Sequence, residues 1–204
     1  MLEIALPRAI AADTASFTQA IDAIEQQLDL ASLVDCNLFY ETTSADHRQI
    51  LAGVLSEPKL QKGKRGLKLR TGGVTPALFP SSEELADCIR LCHSFDIPWK
   101  ATAGLHHPFP MDCQRTGAAM HGFLNILFAV ALLEGNMVPG EKVEDLLTDR
   151  NPTHFAFCET GMTWMGITAD LEQIRLGRER FLSFGSCSFA EPVDDLSAFG
   201  LLAT

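Results

Sequence analysis

The segment Gly66-Leu67-Lys68-Leu69-Arg70-Thr71-Gly72-Gly73 decides the fold class, because it has the form of a short strand that ends in a glycine turn. Residues 80–84, Pro-Ser-Ser-Glu-Glu, follow the turn closely and have the composition of a helix start. The apolar residues of this predicted helix share one face, which consists of Leu85, Cys88, Ile89 and Cys92. A strand that leads into a helix is the repeating unit of parallel α/β folds.

Three further strand–helix units lie on either side of this segment. Their predicted strands cover residues 2–6, 33–41 and 98–103. The helices that follow cover about residues 14–28, a segment that begins near Ser44, and about residues 117–134. Four units in series predict parallel strands joined by right-handed crossovers, because each helix must carry the chain back across the sheet.

The pattern changes after Pro139. Two short apolar segments, residues 153–157 and 162–165, flank Glu159-Thr160-Gly161 and predict a hairpin. Two more helices are predicted at about residues 170–181 and 193–199.

We expect one α/β domain over residues 1–204, with βα repeats in residues 1–136 and a hairpin and helical extension in residues 137–204. A complete eightfold barrel needs about 250 residues, so four units predict a partial TIM-like barrel or an open sheet. An exposed sheet edge would need a cover, which favours a homo-oligomer or a partner domain. A strand so close to residue 1 also allows that the sequence is part of a longer chain.

The composition indicates which classes of partner and which cellular compartment to expect. A formal net charge of −10 disfavours nucleic acid and anionic membrane surfaces as partners, but it permits a small anionic metabolite in a locally positive cleft. The longest apolar run, residues 123–133, is too short to cross a hydrocarbon layer of roughly 30 Å. The absence of a secretory signal and the six scattered cysteines favour the cytoplasm.

Charged side chains alternate with apolar ones on the predicted strands. Lys68 and Arg70 share one face of the third strand, Lys100 and Thr102 share a face of the fourth, and Glu41 ends the second. We expect them to converge at the carboxyl ends of the strands, where α/β sheets bind their ligands. Three cations beside one carboxylate predict a positive binding site, and burial among cations would lower a lysine pKa. The alternative is a buried network of salt bridges around Glu41 without a ligand.

Two loops after the strands add candidate groups. Thr71, Gly72 and Gly73 could offer backbone amides to an anion, or they form an ordinary strand-exit turn. His106 and His107 follow the fourth strand and suit proton transfer. Because neighbouring side chains diverge, we expect one of these histidines to point into the site and the other to point away.

The predicted fourth helix carries a polar row. Gly117, His121 and Asn125 recur every four residues, so His121 and Asn125 could reach the same site, or His121 is a core histidine bonded to a carbonyl. No motif supports a bound metal, and we expect no cofactor. Residues 183–188 resemble neither a GxSxG elbow nor a cysteine-protease signature, so we expect them to serve close packing.

The segments Lys68-Leu69-Arg70-Thr71-Gly72-Gly73 and residues 100–108, with the βα rhythm of residues 1–136, resemble (β/α)-barrel enzymes that use lysines inside the barrel. Such enzymes include Schiff-base aldolases and the enolase superfamily. The same segments resemble an uncharacterised bacterial family with no assigned reaction. The sequence lacks the metal-binding carboxylates on successive strands that enolase-type chemistry requires, and it has too few strands for a closed barrel.

The resemblance favours an enzyme but does not choose the reaction. From the residues at the strand ends we expect a lyase, aldolase or isomerase that acts on a small carboxylated or phosphorylated metabolite. Lys100 would be the nucleophile or base, Lys68 would stabilise charge, and Glu41 would transfer protons with a loop histidine. Arg70 and the glycine turn would bind the anionic group. The alternatives are a non-catalytic anion-binding or assembly domain, and a purely structural role for these polar groups.

Overall fold

A computed structural model of the protein describes residues 1–7, 9–33, 35–42, 45–57 and 65–202. The strands in these residues are β1 Leu2–Ala5, β2 Leu38–Glu41, β3 Arg65–Arg70, β4 Trp99–Thr102, β5 Met111–Asp112, β6 Ala119–Met120, β7 Phe155–Cys158, β8 Gly161–Trp164, β9 Ile167–Asp170 and β10 Phe181–Ser183. The helices are α1 Thr14–Leu30, α2 Ala45–Leu55, α3 Ser82–Ser94, α4 Phe123–Glu134, α5 Val143–Thr148, α6 Leu171–Arg180 and α7 Ala190–Ala198.

The main sheet is parallel, and its strand order is β1-β2-β3-β4-β10. The parallel α/β class predicted from the sequence is therefore confirmed. Within the described residues the sheet does not close on itself, so the strands form an open sheet rather than a complete barrel. In that part of the chain, no helix combines the length and the apolar content that a membrane span requires.

The two faces of the main sheet differ in chemistry because side chains alternate along each strand. One face carries Tyr40, Leu67 and Trp99, which are fully buried in the hydrophobic core. The other face carries Lys68 and Lys100, which lie side by side in register on β3 and β4. The sheet therefore packs an apolar core on one side and holds charged groups on the other.

Local signals in the sequence set the helix starts. Asp13 caps α1 by accepting a hydrogen bond from the Ser16 amide, as its position before the apolar stripe predicts. Ser81 and Glu84 form a reciprocal capping box at the start of α3. Both helices begin where the sequence predicts.

The second strand is shorter than predicted. Pairing begins at Leu38 rather than residue 33, and Val34 lies outside the described residues. The Leu33 amide donates a hydrogen bond to the Leu28 carbonyl at 2.8 Å, so residue 33 closes the end of α1 instead of extending the sheet. Ser44, where the second helix was expected to begin, also lies outside the described residues; α2 is described from Ala45.

The fourth helix begins later than predicted, at Phe123 instead of residue 117. Residues 111–120 form the antiparallel pair β5–β6, and Gly117 adopts a φ of +70°, which is incompatible with a right-handed helix. Gly122 is the N-cap of α4. The predicted helical row of Gly117, His121 and Asn125 is therefore wrong, since the first two residues precede the helix.

The C-terminal part of the chain contains two strands that the sequence did not predict, β9 and β10. The β7–β8 hairpin is confirmed, but β9 adds a third antiparallel strand that the sequence did not predict. The strand β10 was also missed, and it pairs in parallel with β4. The rings of Phe181 on β10 and Trp99 on β4 lie 4.4 Å apart between centroids. Residues 181–183 therefore belong to the main sheet rather than to a separate extension.

Candidate functional site

The charged side chains predicted from the sequence meet on one face of the main sheet and form a chain of ion pairs. The Lys68 ammonium lies 2.8 Å from Glu3 Oε2 and 3.0 Å from Glu41 Oε2. Lys100 Nζ pairs with Glu3, and Arg70 Nε lies 3.3 Å from Glu41 Oε1. We call these five residues the sheet-face network.

Glu3 changes the charge balance that the sequence indicated. It is a second carboxylate, so three cations face two carboxylates, and the excess is one positive charge rather than two. Burial lowers the pKa of Lys68, but the hydrogen bonds and charges of Glu3 and Glu41 outweigh it, and the net pKa is raised. The expected lowering of the pKa of a buried lysine is therefore wrong for Lys68, because carboxylates rather than cations surround it.

Lys100 and Thr102 lie on β4 beside this network. Lys100 is only 8% exposed, and its ammonium lies 3.4 Å from the Met1 sulfur and 5.9 Å from the centre of the Phe39 ring. The Thr102 hydroxyl oxygen is buried and has no hydrogen-bond partner within the described part of the chain. Of these two side chains, Lys100 is satisfied by its ion pair with Glu3, whereas the Thr102 hydroxyl is not satisfied within the described residues.

The glycine turn after β3 packs against the loop after β4. The Thr71 hydroxyl is buried and donates a 2.6 Å hydrogen bond to the Ala103 carbonyl. A Cβ on Gly72 would lie 2.6 Å from the Gly104 Cα, and a Cβ on Gly73 would lie 2.4 Å from a methyl group of Leu78. Close packing explains both glycines, so these contacts favour the strand-exit interpretation of this turn.

A cleft of about 740 Å³ opens at the carboxyl ends of β4 and β10. Its walls are the loop of residues 103–107, the β5–β6 hairpin, and the loop that leads into α7. The side chains that give it chemistry are His106, His107, Arg115, Cys187 and Glu191. We call this feature the histidine cleft.

The His106 ring has a partner at each nitrogen. Its Nδ1 lies 2.6 Å from Glu191 Oε2, and its Nε2 lies 3.3 Å from the Cys187 sulfur. The hydrogen bond with His106 holds the pKa of Glu191 below its usual range. The ring is thus fixed in one orientation between a carboxylate and a thiol.

The adjacent His107 also faces α7. Its Nδ1 lies 2.6 Å from Asp195 Oδ2, and Asp195 stands one helical turn after Glu191 on α7. The expectation that one histidine points into the site and the other away is therefore wrong. Ala103 and Gly104 adopt φ values of 65° and 77°, so the chain turns sharply before the histidines and is not an extended strand there.

The other predicted polar residues hold loops together. His121 Nε2 lies 2.8 Å from the Pro80 carbonyl, and burial lowers its pKa. The Asn125 amide donates hydrogen bonds to the carbonyls of Leu146 and Asp149 at 2.7 and 2.8 Å. His121 thus takes the carbonyl-bonded form that the sequence left open as an alternative.

Sequence reasoning missed four residues of the histidine cleft and its rim: Arg115, Cys187, Glu191 and Asp195. Cys187 and Glu191 stand 81 and 85 residues after His106, so no local spacing connects them. The one available signal was a cysteine in a Gly/Ser loop followed by an acidic helix start, and that loop was assigned to close packing.

Among the described residues, no group of three or more His, Cys, Asp or Glu side chains has the arrangement of a metal site. Comparison of the chain with protein-family models, curated proteins and solved structures finds no match. The sheet-face network and the histidine cleft are therefore the two features that bear on function.

Proposed function

We propose that the protein is a lyase- or isomerase-type enzyme that acts on a small carboxylated or phosphorylated metabolite in the histidine cleft, with His106 as the proton-transferring group. The observation that carries this proposal is the fixed His106 ring, which lines the cleft, is held by Glu191 at Nδ1 and has Nε2 beside the Cys187 sulfur of the same cleft. A histidine oriented by a carboxylate is a common form of general base.

The carboxylate sets the direction of proton transfer. When His106 Nδ1–H donates its hydrogen bond to Glu191 Oε2, the lone pair of the neutral ring is left on Nε2. That nitrogen can remove a proton from a carbon next to a carbonyl and return it at another position. Glu191 then stabilises the imidazolium that forms between the two steps.

Arg115 supports an anionic substrate. It is exposed, lines the histidine cleft, and donates a 3.4 Å hydrogen bond to the Gly73 carbonyl. The acidic Asp112 of the same cleft is paired with Arg150 at 2.7 Å, and Glu191 is paired with His106. A guanidinium beside carboxylates that already have partners is suited to bind a carboxylate or phosphate.

The Schiff-base form of the proposal, with Lys100 or Lys68 as nucleophile, requires a neutral amine. Lys68 is held protonated by Glu3 and Glu41, and Lys100 is paired with Glu3. These pairs favour an electrostatic or structural role for the lysines. Borohydride trapping with carbonyl metabolites, followed by mass mapping, tests this form directly, and an adduct at either lysine would restore it.

Deuterium exchange tests the proposal. We expect wild-type protein in D₂O to exchange the C–H next to the carbonyl of a small carboxylated or phosphorylated aldehyde or ketone, as followed by proton NMR across a panel of such compounds. His106→Gln should lose about 100-fold or more of this rate, the usual contribution of a general base.

His154→Gln is the matched control, because His154 is also paired with a carboxylate, Asp149, at 2.8 Å, but lies on another part of the molecule, outside the histidine cleft. Its exchange rate should equal that of the wild type. Equal rates in wild type and His106→Gln would contradict the proposal.

A second candidate is a non-catalytic anion-binding domain. Arg70 and Arg48 line a separate cleft of about 690 Å³ at the carboxyl ends of β2 and β3, together with Glu41. Thermal shift with the same panel distinguishes the two. The binding domain would be favoured by anions that stabilise the wild type but not Arg70→Ala. Those anions should also be recovered unchanged and undeuterated.

A further inference from the structure

Cys187 and His106 form a nucleophile–base pair in the histidine cleft. The Cys187 sulfur lies 3.3 Å from His106 Nε2, and Glu191 holds the opposite nitrogen of the same ring at 2.6 Å. The order thiol, imidazole, carboxylate is the arrangement that activates nucleophiles in many unrelated enzymes, and it is recognised by geometry rather than by sequence position.

Exposure together with an imidazole partner distinguishes Cys187 from the other cysteines. Cys88 and Cys92 are buried, Cys36 and Cys113 are partly buried, and Cys158 and Cys187 are exposed. The neighbours of the Cys158 sulfur are the Thr160 hydroxyl at 3.3 Å and the Gly161 carbonyl at 3.5 Å. Cys187 thus combines access to solvent with an imidazole partner, whereas Cys158 offers the same access beside a hydroxyl and a carbonyl.

We propose that Cys187 binds the substrate of this cleft covalently: its thiol adds reversibly to the carbonyl carbon of an aldehyde or ketone that carries a carboxylate or phosphate. This inference rests on the proposed function, since it uses His106 as the base. It adds a covalent contact to the carbonyl group that the proposed function already requires in the substrate.

The addition balances without a further reactant. The bond between the sulfur and the carbonyl carbon forms as the carbonyl π bond breaks, and His106 Nε2 takes the thiol proton. The imidazolium then gives that proton to the former carbonyl oxygen, which becomes a hydroxyl. The product is a thiohemiacetal on Cys187, with no change in oxidation state, and reversal of the same steps releases the carbonyl compound. Glu191 is a positioning residue in both directions.

Alkylation by iodoacetamide measures the activation of the thiol in the intact protein. The sulfur displaces iodide and the thiol proton passes to His106, so no substrate is needed. Mass mapping should show that Cys187 is alkylated about tenfold faster in the wild type than in His106→Gln. His154→Gln should leave the Cys187 rate unchanged, and the rate at Cys158 should be the same in all three proteins. Equal Cys187 rates in the wild type and in His106→Gln would overturn the inference.

Glyoxylate, the smallest carboxylated aldehyde, tests the addition itself. We expect it to slow alkylation of Cys187 but not of Cys158, and to lose this effect when it is removed by gel filtration. Acetate, which has no aldehyde, should not protect Cys187. No protection by glyoxylate, or equal protection of both cysteines, would overturn the proposed addition.

The two proposals fail in different ways. If glyoxylate gives Cys187 no protection while His106→Gln still loses the deuterium exchange, the cysteine inference is wrong and the proposed function stands. If no compound exchanges while glyoxylate protects Cys187, the proton-transfer function is wrong and the thiol chemistry stands.

Discussion

His121 is a buried side chain whose protonation makes the stability of the protein depend on pH. Burial lowers its pKa from the ordinary value of 6.5, although the hydrogen bond to Pro80 opposes this shift. The unfolded chain then binds a proton near pH 6.5 that the folded protein still excludes. Stability from this residue is therefore present above pH 6.5 and is lost as the pH falls towards the lower pKa of the folded state.

We predict that His121→Gln makes the free energy of unfolding less sensitive to pH. A glutamine amide can still donate a hydrogen bond to the Pro80 carbonyl, but it does not titrate. Urea unfolding at about pH 7.5 and about pH 5.5 measures the change. The wild type should lose more stability than the variant over this interval, and equal losses would refute the assignment.

At the scale of elements, the contact between α4 and α6 depends on Gly177. This glycine is buried, and a Cβ at its position would lie 2.9 Å from the Ala131 Cα and 3.1 Å from the Ala131 nitrogen. The two helices therefore approach backbone to backbone. A side chain between them would force them apart.

We predict that Gly177→Ala destabilises the protein by about 1–3 kcal/mol, the usual cost of overpacking. Helix propensity alone predicts the opposite sign, a gain of about 1 kcal/mol. Chemical denaturation measures the change, and Arg178→Ala on the exposed neighbouring position is the control, with an effect near zero. A stabilised Gly177→Ala variant would show that the helices can separate without cost.

The elements that the sequence predicted are those with a clear local period. The alternation of Leu67 and Leu69 with Lys68 and Arg70 correctly predicts β3 and its two chemically different faces. By contrast, β10 has three residues, too few for a period to be recognised, and only its pairing with β4 defines it. The sequence did not predict the β5–β6 pair because its strands are only two residues long and residues 118–120 are apolar. Residues 118–120 therefore look like an extension of the helix pattern that follows them.

The candidate site was also predictable only in part, because only some of its residues follow strands that the sequence predicts. His106 and His107 stand directly after a predicted strand, so their place at the carboxyl edge followed from the fold class. Glu3 was missed because β1 was assigned as a strand without its charged side chain being placed on the face of Lys68. Cys187 could not be found before β10 was known, because that strand brings its loop next to β4.

At the scale of the whole molecule, Glu3 connects three strands through charge. It lies on β1 and pairs with Lys68 on β3 and with Lys100 on β4. The hydrogen bond from Lys100 is the largest cause that lowers the pKa of Glu3 below its ordinary value of 4.5, and that from Lys68 is the next. Because the folded-state pKa is depressed, the stability from Glu3 is present above pH 4.5 and is lost as the pH falls through the folded-state pKa.

We predict that Glu3→Gln is less stable than the wild type at neutral pH, and that the difference shrinks as the pH falls below 4.5 towards the lowered folded-state pKa of Glu3. Thermal unfolding across this range measures it. Glu159→Gln, in the exposed turn between β7 and β8, should match the wild type throughout. A difference that persisted unchanged at acid pH would mean that packing rather than charge is responsible.

The outer strands of the main sheet are β1 and β10. Coverage of such an edge by a second copy or by a partner domain stays a prediction, as do the cytoplasmic location, the absence of a cofactor and the exclusion of nucleic acid. All of them derive from composition and from general rules for exposed edges rather than from contacts in this structure.

The late position of β10 in the chain has a consequence for biosynthesis. The histidine cleft joins residues 103–107 to Cys187 and to the first turn of α7. A ribosome will therefore have released four strands of the main sheet before it adds the segment that supplies the thiol and its carboxylate. Nascent chains that stop short of this segment contain β1 to β4 but lack one whole wall of the histidine cleft.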